Sequence, residues 1–228
     1  MTDKQDINFN TIMASSVHDM KNSLSIILDT TETLSHDDSL NKSQHQALDL
    51  LHMEGERLNN TFLQLLALYR IENKQYSLNI DSHNIFDCLE EAMFENETLL
   101  AHHNIEIEIQ SERQLEWFFD RALILGIINT IINNALRHAK TKIILAADND
   151  DTGVVISILD DGPGYPDKVL NSDDDDQQGL NFNSGNTGLG LHFAKVVAEM
   201  HNKGEQHGHI GLSNNGINGG GRFSIHLP

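Results

Sequence analysis

The sequence is short of cysteine, proline, positive charge and long apolar runs, and each shortage excludes something. A single cysteine, Cys88, rules out an intramolecular disulfide and any zinc site built on a Cys-x-x-Cys pair. It lies in "IFDCLEEAM", an apolar face at helical spacing, where a free thiol is expected to be core. Three prolines in 228 residues, with an apolar share of 39%, read as a globular, soluble chain with length for one large domain or two small ones. Fifteen basic residues stand against 34 acidic ones, a formal net charge of −19. Such a chain lacks the basic footprint that displaces counterions from nucleic acid, and an anionic membrane surface is disfavoured in the same way. No run approaches the eighteen or so apolar residues of a membrane span, and no charged-then-apolar leader opens the chain. The expectation is a cytoplasmic protein with neither nucleic acid nor membrane as partner. The thirteen histidines form no HxxxH or HExxH pair on an expected helix, so no structural metal site is expected.

What is present begins with two heptad seams. From Met13 the apolar positions run Met13, Val17, Met20, Leu24, Ile27, Thr31 and Leu34, spaced by fours and threes. After the polar turn "SHDDSLNKS" a second seam runs Leu48, Leu51, Gly55, Leu58, Phe62, Leu65 and Tyr69. Two long helices joined by a turn make an antiparallel hairpin. A second apolar stripe, including Ile26, Leu28, Leu63 and Leu66, would stay uncovered unless two hairpins pair as a four-helix bundle, so a homodimer is expected. On this seam His18 and Asn22 of "HDMKN" stack over the outward face of the first helix.

The heptads stop in a polar stretch near residues 71–83. The expected organisation is a hairpin over 1–72, a linker over 73–83 and a second domain over 84–228. The fold class is α+β: the hairpin, then an α/β sandwich whose strands pair as hairpins with helices gathered on one side. Its expected elements are a helix over about 84–102, strands in "NIEIEIQ" and "LEWFFD", a helix through "LILGIINTIINNALRHA", strands "TKIILAADND" and "GVVISILDD", the helix "GLGLHFAKVVAEMH" and two closing strands. Trp117 and Phe118 are expected as strand core.

Four short stretches of the second domain carry chemistry. Asn133-Asn134-Ala-Leu-Arg137-His138 ends a helix, and an amide oxygen on Asn134 can ligate magnesium without a full negative charge beside phosphates. Asp160-Asp161-Gly162-Pro163-Gly164 follows a strand. There Asp160 can accept from the exocyclic amine of adenine, and Gly162 and Gly164 let the backbone turn sharply and approach a base. Gly185-Asn-Thr187-Gly188-Leu189-Gly190-Leu191 opens a helix whose first amides can cradle phosphates. Gly219-Gly220-Gly221-Arg-Phe223 opens the last strand. Singly, each is more often an ordinary turn; their order is far more specific.

Together they resemble the ATP-binding domain of two-component sensor histidine kinases, within the gyrase and histidine-kinase ATPase superfamily. "NNALRHA" is similar to the N box, "DDGPG" to G1, "SGNTGLGL" to G2 and "GGGRFSIHLP" to the closing strand. "SSVHDMKNSL" resembles the H box, so the likeness runs from about residue 9 to 228. It implies an ATP-dependent protein histidine kinase with His18 as phosphoacceptor, Asp19 polarising the imidazole and Asn22 aligning water for phosphatase action on the response regulator. It further implies Asn134 as magnesium holder and Asp160 as adenine reader. Arg137 and His138 would lie near the phosphates, and Gly162, Gly164, Thr187, Gly188, Leu189, Gly190 and Leu191 would line the nucleotide. The implied cofactors are ATP and Mg2+. The implied partners are a second copy of the chain and a response regulator receiver domain. With only about ten residues before the first helix, a sensor domain is expected to be absent and a separate sensor protein or kinase to supply the input.

Four departures from the family pattern stand out. Ser23 replaces the usual proline after the H box, so a straighter helix is expected. Thr130 takes the place of the first N-box asparagine, with Asn129 one residue off register. The F box is not recognisable beyond Phe182. "SDDDDQQG", with four aspartates at 173–176, reads either as a solvated loop or as a lid that repels nucleotide until neutralised. These departures keep an alternative in play: a sensorless phosphotransfer or docking adaptor with little or no ATP turnover. A regulator that acts mainly as a phosphatase, resting on Asn22, is a third reading.

Overall fold

The computed structural model describes residues 9–37, 39–170 and 188–228, and of residues 9–15, 17 and 18 the backbone alone. The chain divides into two compact units, Met1–Tyr76 and Ser77–Pro228.

In the first unit, α1 (Phe9–Ser35) and α2 (Lys42–Glu72) form the hairpin. Helix α2 starts on a capping box: the Asn41 side chain accepts from Gln44 N–H, and the Gln44 side chain accepts from Asn41 N–H, satisfying two donors the helix itself leaves open. The packed stripe differs from the expected seam. Leu24, Leu28 and Thr31 are buried, whereas Met20, Ile27 and Leu34 are exposed. The reason is Gly55: a Cβ there would lie 2.6 Å from Leu28 Cδ2, so the missing side chain admits Leu28, expected on the outer stripe, into the hairpin. Thr31 Oγ1 donates to the Leu28 carbonyl and meets Nδ1 of His52 at 3.3 Å, which draws His52 from the surface into the helix contact.

The first strand of the second unit, β1 (Ile80–Asn84), starts inside the stretch expected as linker and pairs antiparallel with β3 (Glu116–Asp120). The expected single helix after it is two, α3 (Ile85–Glu95) and α4 (Glu97–His103), divided at Asn96. The Asn96 side chain turns back to donate to the Ala92 carbonyl and to Asn129 Oδ1. The main sheet is built from β2 (Glu106–Gln110), β4 (Lys142–Asp150), β5 (Gly153–Asp160), β8 (His209–Ser213) and β9 (Arg222–Leu227), in the order β2-β4-β5-β9-β8. The pairs are antiparallel except β2 with β4, which is parallel. That parallel pair corrects the hairpin-only expectation, because a helix and a strand intervene between the two.

Alternate residues of the sheet, Ile143, Leu145, Ile156, Ile158, Phe223 and Ile225, are buried under α3, α5 (Arg121–Leu136) and α7 (Leu189–Met200). This period of two is what a sheet covered on one face requires. The short helix α6 (Asp167–Leu170) and the ribbon β6 (Asn202–Lys203) with β7 (Gln206–His207) complete the unit. Phe119 is the fully buried aromatic of β3 while Phe118 is 65% exposed, the reverse of the expectation for Phe118, since alternation gives the core one of the two. Cys88 is buried, and burial pushes its thiol up to about 12. That is the behaviour of a core residue, not a reactive one.

Two buried polar groups lock α5 and α7 to the sheets. Asp120 caps α5 by accepting from Leu123 N–H, and its other oxygen accepts from Asn79 N–H. Its own N–H donates to Nε2 of His201, whose Nδ1 lies 2.8 Å from the Val197 carbonyl. The imidazole is thus neutral, with its proton on Nδ1.

Candidate active site

The centre of the second unit is Asp160, at the end of β5 and buried. Its Oδ1 accepts from Gly162 N–H at 2.8 Å and from Gly221 N–H at 3.3 Å. Its own N–H donates to the Gly221 carbonyl at 3.0 Å. Among the described residues no donor reaches Oδ2. Glycines make room for this carboxylate: a Cβ on Gly221 would lie 2.6 Å from Oδ2, and one on Gly220 would lie 2.1 Å from the Asp160 carbonyl oxygen. A buried carboxylate with one oxygen satisfied by backbone and the other open is suited to accept a hydrogen bond from a ligand.

The neighbouring Asp161 has a different task. Its carboxylate accepts from Lys140 N–H, Thr141 N–H and the Thr141 hydroxyl, tying the start of β4 to the end of β5. Burial alone would raise its pKa; the bonds from Thr141, Lys140 and Lys142 outweigh it and hold the carboxyl well below the usual range.

Helix α5 connects this centre to the glycines of α7. A Cβ on Gly162 would lie 2.6 Å from the His138 carbonyl oxygen, just past the C-terminus of α5. Four residues earlier, Asn134 Nδ2 lies 3.7 Å from where a Gly190 Cβ would be, and Thr130 Cγ2 lies 2.6 Å from the same point. Gly188 caps α7 with φ +64 and no side-chain cap bond, a left-handed conformation that favours glycine. The first amides of α7 have no acceptor within the helix and are suited to an anion.

Asp160, Gly162, Gly164 and the α5 terminus thus converge in one region, with Asn134, Gly188, Leu189, Gly190 and Leu191 at its α7 side. Asn134, Arg137 and His138 are exposed. Thr187, Phe182 and the 173–176 aspartates lie outside the described residues. Among those described, no group of three His, Cys, Asp or Glu could hold a metal. Asn134 therefore offers one neutral oxygen, which fits an ion that takes its other ligands from phosphates and water.

Residues 119–228 match the model of the histidine kinase-, DNA gyrase B- and HSP90-like ATPases. The chain is 24% identical over 202 residues to the sensor histidine kinase CssS of Bacillus subtilis, covering 87% of this chain and 43% of that protein. It is 26% identical over 185 residues to the signal transduction histidine-protein kinase AfsQ2 of Streptomyces coelicolor, covering 80% and 32%. Residues 119–228 thus carry an ATPase domain of this kind, and the curated relatives that the chain resembles are histidine kinases. The chain spans less than half the length of these relatives. The fold agrees with the histidine kinase AdeS of Acinetobacter baumannii, with a TM-score of 0.59 at 20% identity over 90% of this chain and 95% of that one. It also agrees with full-length ShkA, crystallised in complex with AMPPNP, with a TM-score of 0.63 at 20% identity over 96% and 45%.

The stretch that resembles an H box lies on α1 without interruption. Asp19 and Asn22 are exposed; the His18 side chain lies outside what is described. Ser23, in the place of the proline, donates its hydroxyl to the Asp19 carbonyl at 3.0 Å. Thr130 gives its hydroxyl to the Gly126 carbonyl at 2.7 Å and its methyl to the Gly190 contact. Asn129 and Asn133 turn to the other side of α5, where Asn133 Nδ2 donates to Asn96 Oδ1 and Asn129 Nδ2 to Glu95. Asn129 is therefore engaged on the face of α5 away from the contact that Thr130 makes with Gly190.

Sequence reasoning missed Asn214 and Tyr165. The Asn214 side chain accepts from Tyr165 N–H at 2.6 Å and donates to the Tyr165 carbonyl at 3.0 Å. An Asn-Asn-Gly turn between two strands signals a loop, but not one whose amide grips a segment 49 residues away.

Proposed function

We propose that the chain is an ATP-dependent protein histidine kinase that phosphorylates His18 and passes the phosphate to an aspartate of a response regulator receiver domain. The carrying observation is the buried Asp160 carboxylate, with Oδ1 satisfied by backbone and Oδ2 open, in a glycine-lined site beside the amides of α7. In this reading Oδ2 accepts from the adenine amine, and the N–H groups of Leu189, Gly190 and Leu191 face the phosphates, with Arg137 and His138 nearby. Asn134 holds Mg2+, which screens phosphate charge when bound.

A ring nitrogen of neutral His18 forms a bond to the γ-phosphorus as the bond to the ADP oxygen breaks, and ADP leaves with that electron pair. Asp19 accepts a hydrogen bond from the other ring N–H and stabilises the positive charge that develops on the imidazole. Asn22, one helical turn on, orients water for the reverse task of removing phosphate from the regulator. The hairpin acts as a homodimer, and a separate sensor protein or kinase is the proposed source of input. The proposed domain limits are 1–72 for the phosphotransfer hairpin and 84–228 for the ATP-binding domain.

The test is incubation with γ-labelled ATP and magnesium, for the unsubstituted chain and His18→Gln, followed by acid and alkali. Acid-labile, alkali-stable label, lost in the variant, is expected. Asn22→Ala should keep that label while slowing dephosphorylation of the regulator. Thr130 favours a second reading, since its hydroxyl is engaged with the backbone where the family has an asparagine. No label, together with uptake of phosphate from a phosphorylated regulator, would make the chain a phosphotransfer adaptor.

A further inference from the structure

The strand β8 and the glycine-rich loop after it come into the nucleotide site through one side chain. Asn214 uses both ends of its amide on a single residue, accepting from Tyr165 N–H and donating to the Tyr165 carbonyl. A planar amide that pairs with both backbone groups of one residue fixes its position and orientation. The loop it holds needs holding. Gly164 has φ +78, and the Asn214 Oδ1 atom sits 2.6 Å from where a Gly164 Cβ would be. Between Gly162 and Gly164 only Pro163 limits the backbone.

What Asn214 holds is the residue beside the base reader. The Tyr165 ring is partly buried, and its Cε2 lies 3.2 Å from where a Gly221 Cβ would be, the same point that lies 2.6 Å from Asp160 Oδ2. Tyr165 and the open oxygen of Asp160 therefore share one small space over Gly221. The phenol is pushed up to about 12, by burial first and by the Asp160 charge second, so at neutral pH it is an uncharged wall. A wall of that kind lowers the local polarity beside Oδ2 and strengthens any hydrogen bond that oxygen accepts.

We propose that Asn214 is a positioning residue for nucleobase recognition, which it supports by holding Tyr165 against Asp160. The proposal rests on the reading of Asp160 as the group that accepts from the adenine amine. Without the Asn214 amide, the Gly162–Tyr165 turn gains freedom, the ring leaves Gly221, and Asp160 Oδ2 becomes more fully hydrated. Affinity should then fall for a base with an exocyclic amine and much less for a base without one.

The test uses the full chain with magnesium, titrated with ATP and with ITP, which carries an oxygen in place of the adenine amine. Displacement of a fluorescent ATP analogue supplies the readout. Asn214→Ala should weaken ATP by about tenfold while ITP changes by less than about threefold, so discrimination between them narrows. Asn214→Asp keeps the acceptor for Tyr165 N–H and should recover part of the ATP affinity, and it replaces the alanine variant should that one fail to fold. Unchanged ATP affinity in both variants, or ATP and ITP weakened alike with a lowered melting temperature, would overturn the proposal and leave Asn214 a loop-stabilising residue. Failure of the unsubstituted chain to bind ATP would overturn the nucleotide reading itself, and this proposal with it.

Discussion

The methyl group of Thr130 occupies the space in which a side chain at position 190 would begin. A Cβ on Gly190 would lie 2.6 Å from Thr130 Cγ2, and the threonine rotamer is anchored by its hydroxyl bond to the Gly126 carbonyl. Gly190→Ala therefore should push the start of α7 away from α5. Overpacking of this kind costs about 1–3 kcal/mol, and it separates the α7 amides from Asn134. The expected result is a lower melting temperature and weaker ATP binding. Adding Thr130→Ser removes the methyl and should restore both. A Gly190→Ala chain that melts and binds like the unsubstituted one would mean that α7 is not seated on Thr130.

Stability should fall as the pH drops below the ordinary histidine range. The His201 pKa is lowered from 6.5 by burial, with the Val197 carbonyl and the Asp120 charge opposing. His226 is also lowered, by partial burial, by His209, stacked on it at 4.3 Å, and by Arg222, against the pull of Asp150. As pH falls through 6.5 the unfolded chain takes up protons that the folded chain refuses, so stability is full above that range and is lost below it. Thermal melts between pH 8 and 5 should show this slope. His201→Gln, which keeps one donor and one acceptor, should flatten part of it. A melting temperature flat across that range would refute the assignment. Asp161 acts in a separate window. Its depressed pKa supports stability above about 4, which is lost on further acidification.

The hairpin leaves two exposed heptad rows, Met20, Ile27 and Leu34 on α1 and Leu51, Leu58 and Leu65 on α2. Covering such a side chain is worth roughly 1.5–3 kcal/mol, so the proposed bundle would draw its association energy from these six. Ile27→Glu with Leu58→Glu should give a monomer in sedimentation, while the hairpin, packed through Leu24, Leu28 and Thr31, stays helical by circular dichroism. A chain that sediments as a dimer with both substitutions would place the dimer interface elsewhere.

Element order and the chemistry-bearing stretches follow from the sequence, because both are local. The period of the apolar positions marks α1, α2, α5 and α7; the alternation of Ile143, Leu145 and Ala147 marks a half-covered strand. The glycines of "DDGPG" and "GGG" are set beside the aspartate they serve, or at the start of the strand that pairs with its own. Helix rotation and side-chain partnership are not local. Which stripe of α1 packs is decided across the hairpin by the missing side chain of Gly55. Which of two adjacent aspartates is left open is decided by Thr141 and Lys140, whose donors engage Asp161, and by Gly162 and Gly221, which satisfy half of Asp160. The Asn214 clamp on Tyr165 spans 49 residues and carries no period, since a side-chain amide bonding to backbone needs only a donor and an acceptor brought within reach. Such bonds exist only once the sheet has set the β8–β9 loop beside the end of β5, and that is the part of the site the tertiary structure alone decided.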